Sequence, residues 1–403
     1  MKASNPNSPL LKITLLLTST LTVMAGATIA PSLPEMQNHF ASEENVAFLV
    51  RLILTMPALF IVIGAPIVGV MVDKFGRKPV LAGAALLYGL AGTSGFILNS
   101  LGSILVGRAF LGLAVAGIMT SVITLIADYY PGQARANFMG LQAAFMGFGG
   151  VAFLSLGGYL ADQNWRSPFL IYLFSLILLP FIWKALFEPS RQTKNPSTKE
   201  DDPSDKLPIK NVLLIYGIAL ISQVVFYLIP VQLPFYLKTL ANATASQSGL
   251  AIAFCTLFSA CASFLYGKLK ARFSFLSIAI LDFILLGCGY CIIGMVPNYP
   301  LVLLGLGISG MGLGLLMPNL NVWISSITTD ILRGRALGGL TSFFFLGQFL
   351  SPIIAQPITK IVVGLAMVYE SAGLLLLGLS VVLFIFGKQL VQKPPTKPVK
   401  VNS

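Results

Sequence analysis

Asp73, Gly76 and Arg77 stand together in Gly69-Val70-Met71-Val72-Asp73-Lys74-Phe75-Gly76-Arg77-Lys78-Pro79, where a long apolar run turns into a charged bend. A carboxylate and a guanidinium so close can pair and unpair. Gly76 permits a tight turn, and Gly69 lets a neighbouring helix come near. An apolar run ending in charge is costly to place anywhere but at a membrane surface. Arg108 lies deeper, about seven residues inside another run, or roughly 10 Å at 1.5 Å per residue. A cation at that depth needs a partner or water. It either lines a pathway, polarising a substrate group or a proton carrier, or is satisfied by backbone carbonyls of the first run. Acids inside the runs are few: Glu35 at the end of the first, Asp282 inside the ninth, Glu370 near the start of the twelfth. Glu35 reads either as a group that can exchange a proton or as a loop cap. Asp282 reads as a buried, protonated group.

The uncharged polar groups form a second set. Thr14, Thr18 and Thr22 make a stripe at helical spacing, as do Gln223 and Tyr227; Asn319, Asn321 and Ser325 follow Pro318, where a kink is expected. Amides are expensive in lipid, so these and Gln142 and Gln348 should face the interior, either along a pathway or as hydrogen bonds between helices. Cys255, Cys261, Cys288 and Cys291 all fall in apolar runs, and His39 is the one histidine. With no His cluster, paired carboxylates or nucleophile constellation, enzymatic chemistry is not expected, and neither is a metal or cofactor.

The elements that position these groups are membrane spans. The chain has 403 residues, 56% hydrophobic and only 10% charged. A soluble protein carries about 25% charged residues. Twelve continuous runs reach the ~20 residues a spanning helix needs: 12–34, 46–72, 79–98, 101–127, 134–160, 166–187, 211–237, 247–267, 274–296, 300–326, 334–358 and 366–387. Continuous runs exclude a transmembrane barrel. The net charge of +12 could suggest nucleic acid, but 21 of the 26 Lys and Arg fall at the termini, in the even-numbered loops or within four residues of the run ends beside them. The positive-inside rule makes those segments cytoplasmic and nucleic acid no partner. The exceptions are Arg51, Arg108, Arg166, Lys238 and Lys360. Ala25-Gly26-Ala27 imitates a signal cleavage site, but the run continues to Ala30 and is kept as a span.

A polar stretch, 188–210, divides six spans from six and reads as a cytoplasmic linker. The expected organisation is a six-helix bundle over 1–187, the linker, a second bundle over 211–390 and a cytoplasmic tail over 391–403. The halves echo each other. Gly69, Met71 and Phe75 match Gly267, Leu269 and Phe273 at an offset of 198, although Ala271 stands where an acid would be. Arg135-Ala136 and Phe145-Met146-Gly147 match Arg335-Ala336 and Phe345-Leu346-Gly347 at an offset of 200.

The pattern G-x-x-x-D-x-x-G-R-K at residues 69–78 resembles the loop between the second and third helices of the major facilitator superfamily. Leu105-x-x-Arg108-x-x-x-Gly112-x-x-x-Ala116-Gly117 resembles its fourth-span motif. Ala30-Pro31-Ser32-Leu33-Pro34-Glu35 resembles the drug/proton antiporter branch, whereas Phe153-Leu154 replaces that branch's Gly-Pro before Gly157-Gly158. The resemblance implies an all-α integral membrane protein of twelve helices in two pseudo-symmetric six-helix bundles. It implies a conformational latch of Gly69, Asp73, Gly76, Arg77 and Asp128, and close packing at Gly112, Gly157 and Gly158. Spans one, four, seven and ten would line the pathway with Arg108, Glu35, Gln223, Tyr227, Asn319 and Asn321. The expected function is export of a small drug-like molecule or metabolite by alternating access, coupled to protons as antiport. The expected site of action is the plasma membrane, with both termini cytoplasmic and a functional monomer in the lipid bilayer. An importer or uniporter of a neutral or anionic solute is the alternative, and a non-transporting sensor on the same scaffold a lower one.

Overall fold

A computed structural model describes residues 6–189, 207–295, 298–361 and 364–390; most of the expected linker and the whole expected tail lie outside them. Among the described residues, twelve helical segments are long and apolar enough to cross a membrane: Pro9–His39, Val46–Phe75, Arg77–Ile97, Leu101–Tyr129, Gly132–Gln163, Ser167–Ala185, Ile209–Ala241, Ala245–Lys270, Phe275–Met295, Tyr299–Ile327, Leu332–Thr359 and Leu365–Gly387. They are spans one to twelve. Each overlaps its expected run, because uninterrupted hydropathy forces the backbone to satisfy its own hydrogen bonds as helix.

Two spans are broken where the sequence reads as continuous. Span one is helical over Pro9–Ala27, then a 3-10 turn over Ala30–Ser32, then helix over Leu33–His39. Span seven breaks at Tyr227, between Ile209–Phe226 and Leu228–Ala241. Prolines 31 and 34 sit in the first break and 230 and 234 beyond the second, so the first span of each half bends at its far end. Span ten, by contrast, runs as one helix through Pro318.

Proline also leaves the carbonyl four residues earlier without its N–H. In lipid that carbonyl needs another donor. The Ile53 carbonyl, freed by Pro57, accepts from Arg108; that of Phe226, freed by Pro230, accepts from Tyr290; that of Gly314, freed by Pro318, accepts from Ser263. These three hydrogen bonds between helices therefore follow the prolines.

Spans two and three pack on span four, and spans nine and ten on their neighbours twelve and eight, which defines two six-helix halves. The halves meet where span five lies on span eight and span two on span eleven. The face where the chain begins is the near face. There Tyr130, just after span four, donates to the Pro6 carbonyl. Spans five and eight lie together at the far face and diverge toward the near one. A Cβ on Gly158 would come within 2.7 Å of the Ala245 carbonyl, whereas Gly140 and Gly267 have nothing within 4 Å.

Candidate functional site

The near-face bend is built from glycine geometry outward. Span two ends at Phe75, and Gly76 takes φ +99°, a conformation only glycine adopts without strain. Span three begins at once, leaving its first N–H groups without helical partners. The Glu188 carboxylate fills that gap, accepting from the backbone N–H of Arg77 and of Lys78 at 2.8 Å each. It also fills the space beside Gly76, where a Cβ would lie 2.8 Å from Oε1. Arg77 Nε lies 3.0 Å from Asp128 Oδ2 at the end of span four. Asp73 is exposed and outside that pair. Of the expected latch, the structure thus joins Gly76, Arg77 and Asp128, all within the first half. Gly69 differs from expectation: no atom lies within 4 Å of its would-be Cβ. The near ends of the halves are splayed, so no helix approaches it in this conformation.

Arg108 is 1% exposed and held by three acceptors from three spans. Nε donates to the Ile53 carbonyl at 3.1 Å, Nη1 to the Tyr172 hydroxyl at 2.8 Å and Nη2 to the Ala25 carbonyl at 2.6 Å. The last exists because span one stops helical pairing near Ala27, which leaves its final carbonyls free. Of these acceptors only the Ala25 carbonyl belongs to the first run, as one of the two readings had it; the others come from spans two and six. Gly112 lets the two helices meet beside it: a Cβ there would lie 2.4 Å from the Pro57 carbonyl. Gly157 lies similarly against the Thr28 carbonyl, 2.2 Å from its would-be Cβ.

The uncharged groups divide. Tyr227 reaches from span seven to span one, its hydroxyl 2.7 Å from where a Cβ on Gly26 would stand. Gln223 and Gln348 pair across spans seven and eleven at 3.2 Å, and Gln142 donates to Ser19 across spans five and one at 3.0 Å. Each half thus carries one amide link between its first and fifth helices. Asn319 is fully buried and donates to the Phe275 carbonyl at the start of span nine, which makes it a tie between helices. Asn321 donates to Met317 within its own helix, and Thr14, Thr18 and Thr22 donate back into theirs. Asp282 is fully buried, and its Oδ2 accepts from Ser222 of span seven at 3.3 Å.

At the far face, side chains join the two halves. Glu35 pairs with Lys238. Arg51 donates from Nε to Gln232 at 2.8 Å and from Nη1 to Gln37 and the Ala47 carbonyl, with its guanidinium 4.1 Å above the Phe235 ring. Gln232, Phe235 and Lys238 lie three apart, on one face of their helix. Asp162, ending span five, accepts from the N–H groups of Ala245 and Ser246. Arg166 is spent locally, on the Phe96 and Leu98 carbonyls and on Asn99. Four of the five cations that break the charge rule therefore have specific partners, while the side chain of Lys360 lies outside the description. The motifs did not single out Glu188, Asp162, Tyr172 or Gln232. The signal available for Tyr172 and Arg108 was Pro57 and the end of span one, which leave carbonyls needing donors. For Asp162 and Glu188 the partners are helix N-termini far along the chain.

Two six-helix halves clasped at one face and splayed at the other define a membrane transporter, not an enzyme. The chain belongs to the Major Facilitator Superfamily, whose family model matches residues 15–352 and 215–403. It is 27% identical over 359 residues to the bacillibactin exporter of Bacillus subtilis, covering 83% of this chain and 85% of that one. It is 27% identical over 353 residues to the class E tetracycline resistance protein of Escherichia coli, covering 83% and 84%. In fold it resembles a D-xylose-proton symporter, with a TM-score of 0.81 at 15% identity over 96% of this chain and 99% of the other. It also resembles a bacterial homologue of the lysosomal transporter Spinster in an inward-facing, occupied conformation, at 0.77 and 17% over 98% and 100%.

Proposed function

We propose that this protein exports a small amphiphilic molecule across the plasma membrane in exchange for protons, with both termini, the near face and the 188–210 linker cytoplasmic. The observation that carries the cycle is the asymmetry of the halves: joined at the far face, apart at the near face, as one end state of alternating access. Direction is supported by the exporter and resistance proteins matched over more than four-fifths of their length. Orientation is supported by the 21 basic residues that the sequence assigns to the termini and the even-numbered loops. The working unit is a monomer, since each face is closed or opened by contacts within one chain.

The substrate reading is a neutral amphiphile. Arg108 has three of its donors committed and is screened from the space between the halves, so it offers an anion little. Its role is to hold spans one, two and six on span four. Tyr227, Gln348 and Gln142 are the neutral groups placed to meet substrate, and Gln223, fully buried, accepts from Gln348. Asp282 is the coupling acid in this reading, because it is buried against Ser222 on span seven, which carries the amides. Glu35 is engaged by Lys238 at the mouth. Asp73 completes the near-face latch when the halves close there.

The test is flux in proteoliposomes with an imposed pH gradient, using lipophilic neutral and anionic compounds in parallel. Wild type should concentrate a neutral compound, and Asp282→Asn should only equilibrate it. Flux in wild type that ignores the gradient refutes coupling. Concentration by Asp282→Asn at the wild-type level moves the coupling elsewhere.

A further inference from the structure

We infer that Asp162 helps hold the far face shut, beside the Arg51–Gln232 link: it is a positioning residue for the transport cycle, acting as a breakable cap on the N-terminus of span eight. The first four N–H groups of a helix have no helical partner. In span eight the third of them is met locally, Gln247 N–H by Thr244 Oγ1, in a capping box closed by the Gln247 side chain. The first two, on Ala245 and Ser246, are met by Asp162 of the other half. The Ser246 hydroxyl donates to the same carboxylate. The helix end therefore reaches its full set of hydrogen bonds only while the halves touch. A carboxylate is suited to this place, because the N-terminal end of a helix carries partial positive charge.

The backbone below confirms how tight the joint is. Gly158 and Gly249 lie against each other, and a Cβ on Gly249 would meet the Leu154 carbonyl at 2.7 Å and Gly158 Cα at 3.1 Å. Beside them the Ser32 hydroxyl is fully buried without a hydrogen-bond partner, in the turn packed on spans five, seven and eight. When the far face opens, Ala245 and Ser246 exchange the carboxylate for water, and Ser32 is uncovered. Glu35–Lys238 and Asp162 are both exposed, but the first is a single salt-screened pair, whereas Asp162 meets two backbone N–H groups and a hydroxyl; the buried Arg51–Gln232 bond also joins the halves there. The inference rests on alternating access by the two halves.

The experiment uses the full chain with its four native cysteines replaced, reconstituted in liposomes. Ser32→Cys reports the far face through its rate of reaction with a membrane-impermeant thiol reagent. A separate chain carrying spin labels at Gly140→Cys and Gly267→Cys reports the near-face separation of spans five and eight. Asp162→Ala should speed Ser32→Cys labelling about tenfold and shift the 140–267 distance to shorter values, since one population grows at the other's expense. Asp162→Asn, which keeps an acceptor without charge, should give about a two- to threefold increase, and Asp162→Glu should restore the slow rate. Unchanged labelling in Asp162→Ala overturns the latch. So does faster labelling with an unchanged 140–267 distance, which is loosened packing rather than a shifted equilibrium. A Ser32 thiol silent in every variant together with a fixed 140–267 distance refutes alternating access itself.

Discussion

The near and far faces use the same chemistry for different ends. At each, a carboxylate covers the first N–H groups of a helix: Glu188 on span three at the near face, Asp162 on span eight at the far face. Glu188 and its helix belong to one half, as do Arg77 and Asp128 beside them. In the proposed cycle that assembly moves as a unit, a fixed staple, whereas Asp162 and its helix belong to different halves, so their bond breaks whenever the far face opens. What makes a polar contact a brace or a gate is therefore which side of the interface its partner sits on.

The largest effect that would sharpen this comparison is on the shared core. Arg108→Ala leaves the Ile53 carbonyl without its donor, the Ala25 carbonyl with only the longer bond from Tyr172 and the Tyr172 hydroxyl without a donor to accept from, a loss of about 3 kcal/mol. Folded yield and thermal stability should fall, and Arg108→Lys should not restore them, because one ammonium cannot reach three divergent acceptors. Normal stability of Arg108→Ala would return the arginine to the substrate. Next comes Gly76→Ala, which forces a side chain into φ +99° and against Glu188. It should cost about 1–3 kcal/mol. Glu188→Ala should cost about 1 kcal/mol as a lost cap. It should leave the Ser32→Cys labelling rate where it is, in contrast to Asp162→Ala. A large change in that rate would break the distinction between staple and gate. The smallest effect is at Glu35→Gln, an exposed pair worth under about 1 kcal/mol. It should raise Ser32→Cys labelling less than twofold at low salt and not measurably in high salt.

The charged bend was legible because its conformation is local: Gly76 sits where a helix must stop and restart within one residue. Its partners were only half legible. The family resemblance pointed to Asp128 at the end of span four, but Glu188 caps span three from 111 residues away. Gly69 shows how a motif can outrun one conformation, since its space is empty while the near face is apart. Asn319 shows the reverse. A buried amide must find a partner, but only packing decides that the partner is the start of span nine rather than a transported molecule.

By itself, the sequence determined the twelve spans, their division into six and six, and the charge asymmetry between the faces. These rest on hydropathy and chain order, which act within a run of residues and need no knowledge of neighbours. It also determined which carbonyls would want donors, since each interior proline removes a particular N–H. Only the tertiary structure decided which three groups Arg108 meets, that spans one and seven are interrupted near their far ends, and that Asp162 lies against the start of span eight. The first and last of those depend on groups brought together across tens to hundreds of residues. Hydropathy places a helix in the bilayer but is nearly silent about its rotation and its neighbours, and the rotation settles which polar group meets which.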